Sequence, residues 1–481
     1  MATLLHLSPV FLVMSMLMVL RRPPVQAAMA GAALVALLWL VDAWMATGTA
    51  ASGAALAAAG DTGVLFLSTA FVIVPGLGFV ILIERMGVNQ ALSQWVRSLG
   101  LGPADQVVFI VLGLAPLLEA MTGFGVSLIA TVPLLLSLFE RRAALRMALA
   151  GMAIMPWGTL GLATVIGASL AHVDAAALAA VSSLTSAPVF LVLGALSLQL
   201  AGERGARAWL LLAGFGLLFV GVLHGISRWL GPEVAGVGAG FAVALGMLVR
   251  VLLKRGRAQA APGWPRQAWP YLALALAIVL LKLLALATQW DQRWIVQGAQ
   301  VAWKPLASPG VALTLVLGLL LVRGAGRGAA LAGALAARAK RPLLTIFFFL
   351  AMSQMMVKAG FLSGLVQLLA ELAPAALAPI VAAFGALAGY MTGSNVGGNA
   401  IFMPAIALLP ESSRLLLAAV HNSAAGHAAL GSLSIVMLML GLARTNAQEE
   451  GELVRFGFAL ACLNAAAVAL AALVLAGLGV F

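Results

Sequence analysis

The stretch VVFIVLGLAPLLEAMTGFGVSLIATVPLLLSLF, residues 107–139, is the part of the sequence that decides the fold. As one helix it would measure about 50 Å at about 1.5 Å per residue, too long for a single crossing of a hydrocarbon core about 30 Å thick. A glycine-containing polar break, from Glu119 to Gly125, lies near its middle. Irregular backbone survives at membrane depth only where protein buries it or where it lines a water-filled cavity. The stretch therefore predicts a re-entrant hairpin of two half-length helices.

Residues 374–409 form a second apolar stretch of the same kind, with a polar break from Thr392 to Asn399. Around these two stretches the chain is apolar throughout: 63% of its 481 residues are hydrophobic and 9% are charged. Soluble domains carry about 25% charged residues, so a water-soluble globule is excluded. We expect an all-α polytopic membrane protein with about 12 transmembrane helices plus the two re-entrant hairpins.

The predicted spans are read from the apolar runs. They are Leu4–Leu20, Ala27–Ala46, Val64–Ile83, Met147–Leu170, Ala187–Leu200, Trp209–Leu223, Val234–Leu253, Tyr271–Thr288, Gly310–Val322, Leu343–Val357, Arg414–Leu440 and Phe456–Gly477. With the N-terminus outside, 21 of the 27 lysines and arginines fall on the inner side, five on the outer side and one within a span. Retention of basic residues in the cytoplasm predicts this asymmetry. Because no basic segment precedes the first span, we interpret it as a retained helix.

Three short motifs recur in order, which predicts an internal repeat. Met121-Thr122-Gly123 recurs as Met391-Thr392-Gly393, Leu160-Gly161 as Leu430-Gly431, and Arg85-Met86-Gly87 as Lys358-Ala359-Gly360. An odd number of spans separates equivalent elements, so the second copy is predicted to be inverted. This divides the chain into an N-terminal half (1–253), a basic cytoplasmic linker (254–270) and a C-terminal half (271–481). Paired interruptions in corresponding positions are the best sequence indication of a transporter's binding site.

Four polar clusters at predicted membrane depth supply the candidate substrate-binding residues. Glycines permit close backbone approach, helix N-termini offer unpaired N–H groups to an anion, and Ser, Thr and Asn side chains add donors. The fourth cluster, from His421 to His427, is predicted to interrupt its span. The candidate substrate-binding residues are Thr122, Gly123, Phe124, Gly125, Trp157, Gly158, Thr159, Thr392, Gly393, Ser394, Asn395, Asn399, Asn422 and Ser423.

Glu119, His421 and His427 are the candidate proton-coupling residues. Glu119 is the only acidic residue inside either hairpin, and a carboxyl there can carry a proton. Two interpretations of Glu119 remain open. It can carry the proton, or it can be a structural group that caps a helix or pairs with an inner-loop arginine. The histidines titrate near neutral pH, and each can equally be a neutral hydrogen-bonding group.

At these residues the sequence resembles the lactate permease family of lactate and glycolate:proton symporters. The stretch from Leu118 to Gly125 resembles the family's Leu/Phe-Glu-Gly-x-x-Gly-Phe-Gly signature, and Gly393-Ser394-Asn395 with Asn399 and Phe402 resembles its Gly-Ser-Asn…Asn-x-x-Phe segment. Residues 157–161 and 441–455 resemble two further family elements. The resemblance implies symport of a small 2-hydroxy monocarboxylate across a bacterial inner membrane, by a mobile domain in a homodimer.

The sequence departs from the family pattern at Val126-Ser127, at Trp157 and at Gly397-Gly398. These departures leave open a second hypothesis: a transporter of another organic anion, such as a di- or tricarboxylate, or coupling to sodium through hairpin carbonyls. Enzyme chemistry is not expected, since there is no His-Glu-x-x-His motif, no phosphate-binding loop and only Cys462. The predicted partners are a small organic anion, a proton and the lipid bilayer. Nucleic acid, a metal and a cofactor are not expected.

Overall fold

The computed structural model describes residues 2–45, 50–123, 125–255, 263–325 and 329–479. Within these ranges the chain is helical apart from one small β-hairpin. The helices are α1 (Ala2–Met18), α2 (Pro24–Met45), α3 (Ala50–Arg85), α4 (Val88–Ser98), α5 (Pro103–Val108), α6 (Ala115–Thr122), α7 (Ser127–Leu138), α8 (Arg141–Ala150), α9 (Leu162–Ala171), α10 (Ala175–Leu200), α11 (Ala206–Trp229), α12 (Pro232–Arg255), α13 (Trp269–Thr288), α14 (Gly310–Val322), α15 (Ala329–Lys358), α16 (Ser363–Ala370), α17 (Pro374–Thr392), α18 (Asn395–Ala407), α19 (Glu411–Ala429), α20 (Leu433–Ala443) and α21 (Ala447–Gly477). The strands are β1 (Val296–Gln297) and β2 (Ala302–Trp303), which pair antiparallel.

The protein is an all-helical polytopic membrane protein. Across the described ranges nine helices are long and apolar enough to cross a membrane, or ten if the bent pair α15 and α16 counts as one span. These two helices meet at an angle of 75°. The number is below the predicted 12 because several predicted spans are apolar helices of only 10–17 residues, among them α1, α9 and α14.

The first broken segment, residues 103–138, differs from the prediction in its first arm. The arm begins at Pro103 and continues through α5, a π-helical turn (Phe109–Leu114) and α6 as one 20-residue helical run. It lies along α12, because a Cβ at Gly240 would come 2.7 Å from the backbone nitrogen of Leu117. At its far end Asp105 pairs with Arg250 (3.1 Å). The first arm is therefore long enough to cross a membrane, and only α7, with 12 residues, is half-length.

The second broken segment, residues 374–407, folds as predicted into two helices around Gly393. Gly393 closes α17 in the left-handed region, with φ 65° and ψ 21°. The helices α17 and α18 then pack so closely that a Cβ on Gly398 would lie 3.1 Å from the backbone nitrogen of Gly389. Glycine at both positions allows this close approach, so the chain folds back at Gly393 and packs the start of α18 against the end of α17.

The two spans that follow the broken segments differ from each other. The predicted span Met147–Leu170 is interrupted: α8 ends at Ala150, and turns and a 3₁₀ turn over residues 151–161, here the 151–161 loop, lead into α9. The prediction that His421 to His427 interrupt their span is wrong, because α19 is continuous from Glu411 to Ala429. The helix breaks after it, before α20. The glycine that suggested a break, Gly426, instead lets Pro156 approach, since a Cβ there would lie 2.4 Å from Pro156 Cα.

The repeated motifs share a positive glycine φ at two of their three positions, although the ψ of Gly123 and Gly393 differs. Gly87 and Gly360, each just after a long helix, have φ of 69° and 73°. Gly123 and Gly393 have φ of 66° and 65°, and the threonine before each glycine donates a hydrogen bond to the carbonyl four residues earlier. The third pair differs, because Leu160 has a φ of 47° while its equivalent, Leu430, has a φ of −61° and is right-handed.

The β-hairpin is held to α3 by a buried carboxylate. Asp61, fully buried, accepts hydrogen bonds from the backbone nitrogens of Gln300 (2.9 Å) and Val301 (3.4 Å) and pairs with Lys358 at 3.0 Å. Part of the predicted basic linker, residues 256–262, lies outside the described residues.

Candidate functional site

Three asparagines from two helices form the centre of the candidate site. Asn395 and Asn399 lie one turn apart at the start of α18, and both donate to Asn422 Oδ1 on α19, at 2.9 and 3.0 Å. Asn395 Nδ2 also donates to the carbonyl of Pro156 (2.7 Å), and Asn399 Nδ2 to that of Ala163 (3.0 Å). All three side chains are at most 3% exposed. The amide cluster (Asn395, Asn399 and Asn422) therefore joins the second broken segment to α19 and to both ends of the 156–163 region.

Serine and threonine side chains of α10 extend this cluster, and the sequence analysis missed them. Asn422 Nδ2 donates to Ser182 Oγ (3.2 Å), and Ser423 Oγ lies 2.7 Å from Thr185 Oγ1 and 3.0 Å from Ser186 Oγ. The predicted span began at residue 187, whereas α10 begins at Ala175. The run Ser-Ser-Leu-Thr-Ser at 182–186 in an otherwise apolar helix was the signal that could have found them.

The 151–161 loop connects the amide cluster to the tip of the first broken segment. Thr159 Oγ1 donates to the carbonyl of Thr122 (3.4 Å). A Cβ on Gly123 would lie 1.7 Å from Thr159 Oγ1. Gly123 and Gly158 both have φ near 65°, with ψ of −172° and −165°, a conformation almost restricted to glycine. The loop thus brings together the predicted residues Thr122, Gly123, Gly158 and Thr159.

Glu119 is held within its own segment. Its Oε1 accepts from the Gly125 nitrogen (3.0 Å), and its Oε2 accepts from Ser127 Oγ (2.6 Å) and the Ser127 nitrogen (3.4 Å). The carboxyl group, 1% exposed, therefore occupies the N-terminus of α7. Of the two interpretations left open for Glu119, this geometry is that of the helix cap. Phe124 lies outside the described residues.

Thr392 and Ser394, two further candidates, are bonded to their own turn. Thr392 Oγ1 donates to the carbonyls of Ala388 (2.8 Å) and Ser394 (2.9 Å). Ser394 Oγ accepts from the Gly397 nitrogen at 3.5 Å as the cap of α18. These residues shape the turn that presents Asn395.

Several buried polar atoms around the amide cluster have no hydrogen-bond partner in the part of the chain that the structure describes. Such orphans are few in native proteins, and each calls for an explanation such as a ligand or a water. They are Asn395 Oδ1, Asn399 Oδ1, Trp157 Nε1, His421 Nδ1, and both ring nitrogens of His427. The same site therefore offers free donors and free acceptors.

The two histidines are fully buried in different surroundings. His421 Nε2 lies 3.3 Å from the carbonyl of Gly398, next to the amide cluster. The His427 ring packs edge-to-face on Phe190, with 5.5 Å between centroids, and the Trp157 ring lies 6.5 Å from the same phenylalanine. Both histidines border the site, and His427 lies in its aromatic part.

Within the described ranges, no group of three or more His, Cys, Asp or Glu side chains could hold a metal ion.

Comparison with known proteins yields a distant structural likeness. No family model matches the chain, and no curated protein matches it. Among solved structures it is similar to the crystal structure of the Alcanivorax borkumensis YdaH transporter, described as having an unusual topology. The two share 16% sequence identity over 88% of each chain, with a TM-score of 0.44. A likeness at this level is too distant to carry an argument about function.

Proposed function

We propose that the chain is a secondary active transporter that carries a small 2-hydroxy monocarboxylate, such as lactate or glycolate, together with a proton. The observation that carries this proposal is the amide cluster with its unpartnered neighbours. Polar side chains from the start of α18, from the continuous helices α10 and α19 and from the 151–161 loop converge there, buried among membrane-spanning helices. Burying such groups without partners costs about 1–3 kcal/mol each, and a bound polar substrate would offset that cost.

The chemistry of a 2-hydroxy acid fits the free atoms. Its carboxylate needs donors, which Trp157 Nε1 and the N-terminus of α18 can supply. Its hydroxyl group can donate to an asparagine oxygen, and Asn395 Oδ1 and Asn399 Oδ1 are both unoccupied by the protein. In this proposal N–H donors and the helix N-terminus, rather than a lysine or arginine, meet the single negative charge of the carboxylate.

The proposal includes an architecture. The two broken segments are the paired hairpins of an inverted repeat, with about 12 spans in all, the N-terminus outside and the chain in a bacterial inner membrane as a homodimer. The shared geometry at Gly87 and Gly360 and at Gly123 and Gly393 supports the repeat. The distribution of basic residues supports the orientation.

Proton coupling is assigned to Glu119, with His421 and His427 as the alternatives. Glu119 accepts three hydrogen bonds at the start of α7. Protonation would turn one acceptor oxygen into a donor and so weaken this cap. Through Thr122 and Thr159 that change would reach the 151–161 loop.

Uptake of labelled L-lactate into proteoliposomes tests the proposal. An inward pH gradient should drive accumulation, and unlabelled glycolate should compete. Absence of lactate and glycolate uptake with the gradient would overturn the substrate assignment. Accumulation driven only by a sodium gradient would overturn the proton assignment.

Sodium-coupled transport of a di- or tricarboxylate is the second candidate, and one observation favours it. Asn395 Oδ1 and Asn399 Oδ1 are buried oxygens without donors, one helical turn apart. Oxygens at interrupted helices are the ligands that sodium-coupled transporters use. A competition panel of unlabelled mono-, di- and tricarboxylates, run with each gradient, separates the two candidates.

A further inference from the structure

A cavity of about 210 Å³ lies apart from the amide cluster, between α3, α9 and the segment 302–309. Val64, Leu65 and Val72 of α3 face Leu162 and Val165 of α9 across it. Polar groups lie at its edges: Ser68, Ser169, Glu233 and Lys304. A cavity needs about 10–15 Å³ to hold one water, so this one has room for a small organic molecule.

The cavity extends to the end of the 151–161 loop, which contains several of the candidate site residues. Leu162, in its wall, directly follows Thr159–Gly161, and Thr159 contacts Thr122 at the tip of the first broken segment. The backbone of Glu233 packs against the end of this loop, because a Cβ on Gly161 would come 2.7 Å from the Glu233 nitrogen. A molecule in the cavity would therefore contact the residue that directly follows the 151–161 loop.

The segment that covers the cavity is held in place by interactions with α3. The fully buried Asp61 accepts the Gln300 N–H at 2.9 Å, two residues before the covering segment begins. Trp303 packs edge-to-face on Phe71 with 5.6 Å between centroids. Asp61 is itself neutralised by Lys358 at 3.0 Å. The cavity is thus enclosed by an ordered segment that is fixed to the same helix as one of its walls.

The charges at the edge favour an anion. Glu233 is already paired with Lys282 at 3.2 Å. Lys304 is exposed and has no ion pair in the portion of the chain described by the structure. The edge therefore carries one uncompensated positive charge next to apolar walls, the combination that binds a carboxylate with a short apolar body.

We propose that this cavity is a second binding site for small monocarboxylates, a vestibule from which substrate reaches the 151–161 loop. The carboxylate contacts Lys304, and the apolar body lies between Leu65 and Val165. The inference rests on the proposed function for the identity of the ligand, but the site is defined by its own residues. By the predicted orientation it opens to the outer side of the membrane.

Cysteine labelling tests the site, and the chain offers a matched pair of positions. Cys462 is the only cysteine, so Cys462→Ser gives a cysteine-free background. Ser169 lines the cavity and Ser197 is fully buried elsewhere, while each donates to the carbonyl four residues earlier in its helix. The two cysteine variants therefore lose the same hydrogen bond. A thiol-reactive, membrane-impermeant anionic reagent is applied to each side of proteoliposomes.

We expect Ser169→Cys to react from one side only, at least about tenfold faster than Ser197→Cys, because reaction requires an accessible thiol. L-lactate should slow the reaction. Adding Lys304→Gln should weaken that protection about fivefold, the equivalent of roughly 1 kcal/mol for one exposed charge contact. Ser68→Cys, on the opposite wall, serves as the second position if Ser169→Cys does not fold.

Equal reactivity of Ser169→Cys and Ser197→Cys overturns the vestibule, as does labelling unaffected by every monocarboxylate tried. Labelling needs no transport, so the two proposals fail separately. Protection by a monocarboxylate without uptake supports this site and counts against the transport function. Uptake of lactate without protection does the reverse.

Discussion

The two broken segments turn at the same short motif, but the ψ of its glycine and the chemistry around it differ. Each ends its first arm at Met-Thr-Gly, with the threonine bonded four residues back and the glycine at φ near 65°. In the first segment the carboxyl group of Glu119, four residues before the glycine, lies at the N-terminus of the next helix. The second segment places two amides, Asn395 and Asn399, after its glycine and against α19. The repeated Met-Thr-Gly residues therefore determine where each segment turns. The residues around the turn determine which polar groups are placed there.

Asn422→Ala should have the largest effect, because Asn422 belongs only to the amide side of the comparison. Its loss leaves Asn395 and Asn399 each short of an acceptor, at about 1–3 kcal/mol per buried group, so we expect lactate uptake to fall at least about tenfold. The control is Asn464→Ala, also fully buried but bonded to the carbonyl of His427. Equal loss in both variants would contradict a special role for the cluster.

Glu119→Gln tests the carboxyl group of the first broken segment. If Glu119 carries the proton, lactate exchange continues while accumulation no longer responds to an imposed pH gradient. Net uptake should then fall about tenfold, the equivalent of about 1.4 kcal/mol. Ser127→Ala removes the strongest hydrogen bond to the carboxyl group but keeps its charge, and should retain the gradient response. A full gradient response in Glu119→Gln would leave Glu119 as a cap only.

Gly123→Ala and Gly393→Ala compare the two turns directly. Gly123 has a ψ of −172°, in a region where a side chain costs about 1–3 kcal/mol, and a Cβ there would also clash with Thr159 at 1.7 Å. Gly393 has the milder left-handed conformation, and its nearest neighbour would be Ser434 Cβ at 2.8 Å. Thermal unfolding in detergent should show the larger loss for Gly123→Ala. Equal losses would mean that the turns are equivalent.

Glu449→Gln should have the smallest effect. Arg141, at the end of the first broken segment, donates to Glu449 at 2.6 Å, and this bond raises the pKa of the Arg141 guanidinium further above its usual value. Exposed pairs contribute about 0–1 kcal/mol, so unfolding should shift by no more than a few degrees and uptake should persist. A loss of uptake would show that this connection between the two halves takes part in the cycle.

Much of this arrangement could be predicted from residue types. Gly393 marks the second turn because no other residue combines a left-handed backbone with close packing, and the predicted range 374–409 agrees with α17 and α18. Gly426 was misleading for the same reason: a glycine in a helix indicates either a break or a close contact, and only the fold shows Pro156 against it. Ser182 and Thr185 lie about 240 residues from Asn422 and Ser423, so their role depends on packing that local patterns do not contain.

The contact between Gly389 and Gly398 has a mechanical consequence. A second contact of the same kind joins α17 to α19, where a Cβ on Gly389 would lie 1.9 Å from the carbonyl oxygen of Ala425. With only hydrogen atoms between the three backbones, these helices cannot slide past one another without collision. Asn395, Asn399 and Asn422 would therefore move together as one rigid unit. Any change in access to them must then come from the neighbouring elements, such as α10 and the 151–161 loop.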